Sequence, residues 1–467
     1  MHYAKLRDYQ DTALTQVEES WRAGYRKVLI HMDTGLGKTV IFTTAMKWAF
    51  EKGYPSIMAV RGRSLVNQAA ERLFKENVPH GVLMANHPLY RPWEKIQIAS
   101  IDTIRSRGIY PEAKLVVIDE GDLATSDPWH EFTAKYPNAF FLVVTATPYG
   151  PKSIAHIVDT VVRPIEFHEA VERGYMVDAR YYVPSQPDLT GIKIQNGDYH
   201  KGELEDRCNT GELVGDIVKT WLKNSRDKPT VCFAVSIAHS LEIVSKFKDA
   251  GINAIHIEAS TKDENREKAR RGLEDGSVKI VSNVGIWCRG KDIPCLRTII
   301  MARPTRSYTL YVQQLGRGTR PYPGKDHFLV FDHAGNVIRH GFINDQPEAC
   351  IDGRQKRKMN FKRTSICKIC FMAFQSAYCP ACGKPQVVES RLPNTVEGEL
   401  VEIKTDDIKT YLQQLKSRQQ FNGYKKNWVW YKLRDKYGEY QADKHFPIKR
   451  GVCSLNLKQV EELLNGK

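Results

Sequence analysis

The sequence predicts an α/β protein with two tandem parallel-sheet domains, followed by a small zinc-binding module and a tail. Three observations carry this reading. Two separate sets of short, continuously apolar runs alternate with segments of helical spacing. A glycine-rich loop ending in Lys-Thr joins the first run to the first strongly helical segment of that set. Two C-x-x-C pairs follow the second set.

The first set of runs is 28–30, 57–60, 96–98, 115–118 and 141–144; the second is 231–233, 254–256, 279–281, 298–300 and 328–331. Continuous rather than alternating hydrophobicity predicts parallel strands covered on both faces. Strands alternating with helices predict βαβ units. Between the sets, 151–227 carries turn signals at Gly174, Pro184, Pro187 and Asn196-Gly197. It reads as the crossing between domains plus the entry elements of the second. The expected domains are 1–153, 154–345 and a C-terminal region 346–467, with the cysteine module at about 364–386.

A chain of 467 residues has room for two to four domains of roughly 100–200 residues each. Its 42% hydrophobic and 26% charged residues are ordinary for a globular protein. The net charge of +15 favours polyanions, nucleic acid first and anionic membrane second; a basic surface without a special partner is the plainer alternative. No run of about 18 apolar residues is present, so no membrane span is expected. The first ten residues are polar, unlike a secretory leader. The expected compartment is the reducing cytoplasm, where ten cysteines are thiols or metal ligands rather than disulfides. Cys208, Cys232, Cys288, Cys295, Cys350 and Cys453 are scattered and read mostly as inert thiols.

The strongest chemical signal is Thr34-Gly35-Leu36-Gly37-Lys38-Thr39, after a strand and before a helix. Glycines let backbone N–H groups converge on the phosphates of ATP; Lys38 would neutralise the β- and γ-phosphates and Thr39 would hold Mg²⁺. Met32 stands where the general phosphate-loop pattern has its first glycine. Next, the apolar run 116–118 ends in Asp119-Glu120. There Asp119 suits Mg²⁺ binding and Glu120 suits polarising the attacking water. Thr145-Ala146-Thr147-Pro148 closes another strand; its hydroxyls suit sensing the nucleotide, but alone an ordinary strand-to-turn transition is the favoured reading. In the second half, Gln313 to Arg320 fits Q-x-x-G-R-x-x-R. On a helix Gln313, Arg317 and Arg320 share one face, from which an arginine can stabilise charge developing on the γ-phosphate. Gly316 and Gly318 are poor choices for an ordinary helix.

In motif order, residues 1 to about 340 resemble a superfamily 2 helicase, which implies two RecA-like domains. Leu6-Arg7-Asp8-Tyr9-Gln10 is similar to the adenine-recognition element, with Arg7 and Gln10 on the cofactor. The resemblance places motif Ia at 60–68 and motif Ib at 99–103, both on the nucleic acid backbone. It places motif II at 119–122, motif III at 145–147, motif IV at 231–234 and motif V at 282–294, and it puts Gly290 and Asp292 on the cofactor. Motif II departs from the family in reading Gly121-Asp122, and motif V carries Arg289 and Lys291 around Gly290. Within the superfamily, 301–307, 311–320 and 331–336 look most like RadD-like bacterial and phage helicases, which are linked to DNA repair and recombination. The resemblance therefore implies ATP, Mg²⁺ and DNA as partners, the DNA single-stranded, forked or branched. Movement on duplex DNA without strand separation and an RNA substrate are the alternatives; a binding module with vestigial turnover is opposed by the intact motifs.

Cys367-x-x-Cys370, eight residues, then Cys379-x-x-Cys382 supply four thiolates for a closed tetrahedral Zn²⁺ site of structural type. Whether the module scaffolds or touches nucleic acid is open; the basic run Arg354 to Arg363 just before it is either a solvated linker or a contact. The tail, 423–438, interleaves lysines with Tyr424, Trp428, Trp430, Tyr431 and Tyr437. Such a segment either stacks on unpaired bases or, with Trp428 and Tyr431 at helical i, i+3 spacing, forms the core of a small helical domain. The C-terminal region is also the expected place for a protein partner.

Overall fold

A computed structural model describes residues 6–149, 153–287, 293–347, 349, 351, 364–376, 378–384, 411–413, 415–417, 419 and 427–437. The chain divides into two compact units, Met1–Val387 and Val388–Lys467.

In the first unit, the strands of one sheet are β1 Lys27–His31, β2 Ser56–Val60, β3 Gly81–Leu83, β4 Ile96–Ser100, β5 Leu115–Asp119, β6 Phe140–Thr145 and β7 Thr160–Val162. Their order among the described residues is β3-β4-β2-β5-β6-β1-β7, all parallel. The second sheet holds β8 Asp178–Tyr182, β11 Thr230–Phe233, β12 Ala254–Ile257, β13 Ile280–Asn283, β14 Thr298–Met301 and β15 His327–Asp332, in the order β12-β13-β11-β14-β15-β8 and again parallel. Between β8 and β11 a hairpin, β9 Ile194–Gln195 and β10 Asp198–Tyr199, turns at Asn196-Gly197.

Every apolar run of the sequence has become a strand, and the reason is two-sided burial. Along β1, β2, β5 and β6, residues of one parity (Val28, Ile30, Met58, Val60, Val117, Val144) pack in one apolar cluster. Those of the other parity (Leu29, Ile57, Ala59, Val116, Ile118, Val143) pack in another on the opposite face. The first cluster continues without a break into the second sheet through Val231, Phe233, Val281, Ile299 and Met301. The two sheets therefore share one core, and Tyr149 meets Tyr308 edge-on across it at 5.4 Å between ring centres.

Strands β3, β7 and β8 lie outside the apolar runs of the sequence. The first two have only three residues each, too few to display a period, and β7 and β8 are edge strands that are only partly buried. Strand β7 pairs with β1, so the expected boundary at residue 153 falls between β6 and this edge strand. The basic run 354–363 lies outside the described residues.

In the second unit, the helix Asn427–Tyr437 buries Val429, Trp430 and Leu433 against Leu415. Trp428 is only partly buried and Tyr431 is exposed, so the helix core is built on Trp430 rather than on the Trp428/Tyr431 pair. Arg434 lies over both the Trp430 and Tyr431 rings, at 5.4 and 5.1 Å.

Candidate nucleotide site and cysteine cluster

Strand β1 runs into the loop 32–37, and the helix Lys38–Glu51 starts immediately after it. Gly35 and Gly37 hold φ of +104° and +84°, values that side chains with a Cβ rarely adopt, so the glycines permit the loop's tight return. The unpaired N–H groups of a helix start and its positive dipole end make this loop suited to an anion. Lys38 Nζ lies 3.2 Å from the Met32 carbonyl and donates to it. Tyr9 Oη and Gln10 Nε2 both donate to the Leu36 carbonyl, at 2.9 and 3.0 Å, and Gln10 Oε1 accepts from Arg7 N at 3.0 Å. The segment 7–10 thereby braces the loop. Arg7 is exposed, with its guanidinium 5.2 Å from the centre of the Tyr175 ring.

Asp119 ends β5, and Glu120 follows in the left-handed region at φ 54° and ψ 51°. The Glu120 N–H donates to Asp119 Oδ1 at 2.9 Å. Burial, reinforced by the Glu120 charge and opposed by Lys38, pushes Asp119 up to about 7. Asp122 accepts from Thr145 Oγ1 at 2.7 Å, and Thr145 Oγ1 in turn accepts from Thr147 N at 3.1 Å. The Asp119–Asp122 and Thr145–Thr147 segments are thus stitched together. Packing explains why glycine stands at 121. A Cβ there would lie 2.3 Å from Val143 Cγ1. Gly121→Ala is expected to destabilise the fold by about 1–3 kcal/mol, the usual range for overpacking. Thermal denaturation checks this, and Val143→Ala in the same chain should recover part of the loss.

The helix carrying Gln313 spans Tyr308–Leu315 and stops there. Gln313, Arg317 and Arg320 therefore do not share one helix face, which corrects the expectation from spacing. Arg317 N and Gly318 N bond three residues back, to Gln314 O at 3.3 Å and Leu315 O at 2.8 Å, forming a tight turn. The turn is set by close packing: a Cβ at Gly318 would sit 2.3 Å from the Phe328 ring, and one at Gly316 would sit 2.5 Å from Thr34 Cβ.

That last contact joins the two halves of the site. Thr319 Oγ1 lies 3.1 Å from the Thr34 carbonyl and donates to it. A Cβ at Gly35 would lie 3.3 Å from Thr319 Oγ1 and 3.5 Å from Arg320 Cγ. Gln313 Nε2 stands 3.5 Å from Glu120 Oε2, and Arg317 is buried. The lysine-bearing loop and the arginine-bearing turn therefore face each other directly. Gly290 and Asp292 lie outside the described residues. At the ends of β2 and β4, exposed Arg61 and Asp102 pair at 3.8 Å.

Sequence reasoning missed a polar cluster behind the loop, comprising buried His31, Asp33 and Tyr149 with half-buried Arg163 and Gln346. Its members are far apart in the chain and form no local motif.

The four cysteines come together. Their Sγ atoms all lie within 4.8 Å of one another, with Cys367–Cys382 and Cys370–Cys379 at 3.5 Å and Cys370–Cys382 at 3.7 Å. Thiolates about 2.3 Å from a tetrahedral zinc stand roughly 3.8 Å apart, so the cluster fits that ion. The module sits on the edge of the second sheet. Met372 bridges antiparallel to Tyr182 of β8, Val183 N donates to Phe371 O at 2.9 Å, and Gln375 Nε2 donates to Asp345 Oδ2 at 2.8 Å. Such cover protects an edge strand from unwanted pairing.

Residues 3–150 match the family model of the type III restriction enzyme res subunit, and residues 212–321 match that of the helicase conserved C-terminal domain. The chain is an ATP-dependent, superfamily 2 helicase-type nucleic-acid enzyme. Other proteins are similar to this chain. A "51.5 kDa protein" of Lactococcus phage (isolate 7-9) is 25% identical over 86% of this chain and 87% of its own length. The "Putative ATP-dependent helicase IRC3" of Saccharomyces cerevisiae is 27% identical over 71% of this chain, which spans about half (51%) of that relative. A solved structure, an ATP-dependent type ISP restriction-modification enzyme LlaBIII bound to DNA, has the same fold with a TM-score of 0.54. It is 18% identical, over 70% of this chain and 27% of that one. The two sheets are accordingly those of two RecA-like domains. Among the described residues no helix is long and apolar enough to cross a membrane.

Proposed function

We propose that this helicase-type enzyme acts on DNA, binding Mg·ATP between its two domains and using hydrolysis to translocate on or unwind the nucleic acid. The supporting observation is the packing of the Gly316–Arg320 turn onto the Thr34–Gly37 loop. Lys38 and the loop N–H groups hold the phosphates, Thr39 and Asp119 hold Mg²⁺, and Glu120 polarises the attacking water. Arg317 and Arg320 approach the γ-phosphate from the second domain, with Gln313 reaching Glu120. Arg7 and Gln10 serve the adenine side, with Gly290 and Asp292 on the cofactor from the second domain. Asp119, which burial pushes up to about 7, would be ionised with a divalent cation bound, because the cation's charge would offset the burial penalty. Cys367, Cys370, Cys379 and Cys382 hold a structural Zn²⁺, and zinc there braces the β8 edge. Of the domain limits read from the sequence, 1–153, 154–345 and 346–467, we propose to keep the second and to move the first beyond β7, because Thr160–Val162 pairs with β1 in the first sheet.

DNA is favoured by the match of the first domain to a restriction-enzyme subunit, while the charge of +15 suits either nucleic acid. The same match favours, as a second reading, movement along duplex DNA without strand separation. ATP turnover with single-stranded, duplex, forked and branched DNA and with RNA, at one fixed salt concentration, tests the substrate. Stimulation by DNA over RNA is expected; stimulation by RNA alone defeats the DNA assignment. A strand-displacement assay run beside it separates unwinding from duplex translocation.

A further inference from the structure

The polar cluster behind the phosphate loop has no part in the nucleotide contacts proposed above. Its centre is Gln346, from the segment that follows the second sheet. Gln346 Nε2 donates to Asp33 Oδ1 at 2.5 Å, and its Oε1 accepts from Arg163 Nη2 at 3.1 Å. Tyr149 Oη lies 3.1 Å from the same Oε1 and 2.9 Å from His31 Nε2. Arg163 also pairs with Glu166 at 2.9 Å. A guanidinium only donates, so the Gln346 amide must turn its oxygen to Arg163 and its NH₂ to Asp33. Burial raises the Asp33 carboxyl above its ordinary range, while the Gln346 hydrogen bond and the Arg163 and Lys38 charges oppose that rise. His31, Asp33 and Tyr149 are all buried. Burial, with Arg163 and Lys38 adding to it, brings His31 down to about 3, so the ring is neutral at working pH.

Asp33 belongs to the loop itself. Its carbonyl accepts from Leu36 N at 3.3 Å, and the preceding carbonyl, Met32, accepts from Lys38 Nζ. The segment that brings Gln346 is anchored on the first domain: the Ile351 carbonyl accepts from Ile154 N at 2.9 Å and Ser153 Oγ at 3.2 Å. Ile351 also packs against the cluster on the outer face of the first sheet. By residue 372 the chain is back on the second sheet, bridging to β8. The chain thus visits the first domain a second time after completing the second one.

We infer that Gln346 is a positioning residue for the phosphate loop, which it holds through Asp33, and that nucleotide affinity depends on this returning segment. The inference rests on the nucleotide reading of residues 34–39. A buried carboxylate that loses its donor bears an uncompensated desolvation cost, and here that cost falls at the base of the loop.

The test measures Mg·ADP affinity by titration calorimetry on the full-length, zinc-loaded chain, with the melting temperature taken alongside. Gln346→Glu sets a carboxylate against Asp33 and should weaken Mg·ADP binding about 5- to 150-fold, the usual span for coupled sites. Adding Asp33→Asn reverses the donor and acceptor and should recover most of that loss. Gln346→Met keeps the side chain's shape without its hydrogen bonds and should also weaken binding, which serves if the carboxylate variant does not fold. Wild-type affinity in both Gln346 variants, with binding lost in Lys38→Ala, overturns this inference and leaves the nucleotide site standing. Undiminished binding in Lys38→Ala overturns the nucleotide reading itself. A loss of affinity that tracks a fall in melting temperature, without recovery in the swapped pair, marks Gln346 as a mere brace and also overturns the inference.

Discussion

Lys38→Ala should lose nucleic-acid-stimulated ATP hydrolysis by about 10²–10³-fold or more, the effect expected on removing a preorganised charge from a phosphoryl-transfer site. Lys38 opens the helix that follows the glycine-rich loop, and its ammonium is held by the Met32 carbonyl within that loop. Arg317→Ala and Arg320→Ala should lower turnover by about 10³–10⁵-fold, as loss of an arginine on the transferring phosphoryl group does in related enzymes. The two classes separate in one measurement. In the proposed site Lys38 would contact phosphates already present in the bound nucleotide, so its loss should weaken Mg·ADP binding. In the proposed site the arginines would act on charge that develops at the γ-phosphate, so their loss should spare Mg·ADP affinity and lower kcat. Undiminished turnover in Lys38→Ala refutes the site, and undiminished turnover in both arginine variants removes the second domain from the chemistry.

Cys370→Ala should abolish zinc binding, with the ion measured by atomic absorption on the purified chain. The effect is large because such sites couple roughly 10–16 kcal/mol of metal binding to folding. Here the fold at stake reaches beyond the module. Met372 and Phe371 cover the end of β8, the edge strand of the second sheet, and Gln375 ties the module to Asp345. Without zinc that edge is left unpaired, and the variant should melt earlier and aggregate more readily than the parent. A full complement of zinc in Cys370→Ala counts against the four-cysteine site.

Much of the architecture was legible because its signals are local. Two-sided burial writes itself as continuous apolar runs, and all ten such runs became strands. Phosphate loops and C-x-x-C pairs are also local, and both assembled as the spacing implied. Three-residue strands such as β3 and β7 show no period, so they stayed hidden. The arginine segment misled for a tertiary reason: helical spacing put Gln313, Arg317 and Arg320 on one face, but contacts with Thr34 and Phe328 select a tight turn after Leu315. In the tail helix, spacing pointed to Trp428 and Tyr431 as the core, whereas packing against Leu415 chose Trp430. The Gln346 cluster joins residues from positions 31 to 346 and leaves no trace in any short window.

Gly121 and Val143 compete for the same volume, one at the turn after the acidic pair and one in the next strand. Sequence drift at the two positions is therefore linked. Homologues that carry alanine at the position of Gly121 should have traded Val143 for a smaller side chain, whereas those that keep the glycine are free to retain a branched one. The identity of one residue beside Asp119 and Glu120 is thus set from behind, by an apolar neighbour in the next strand.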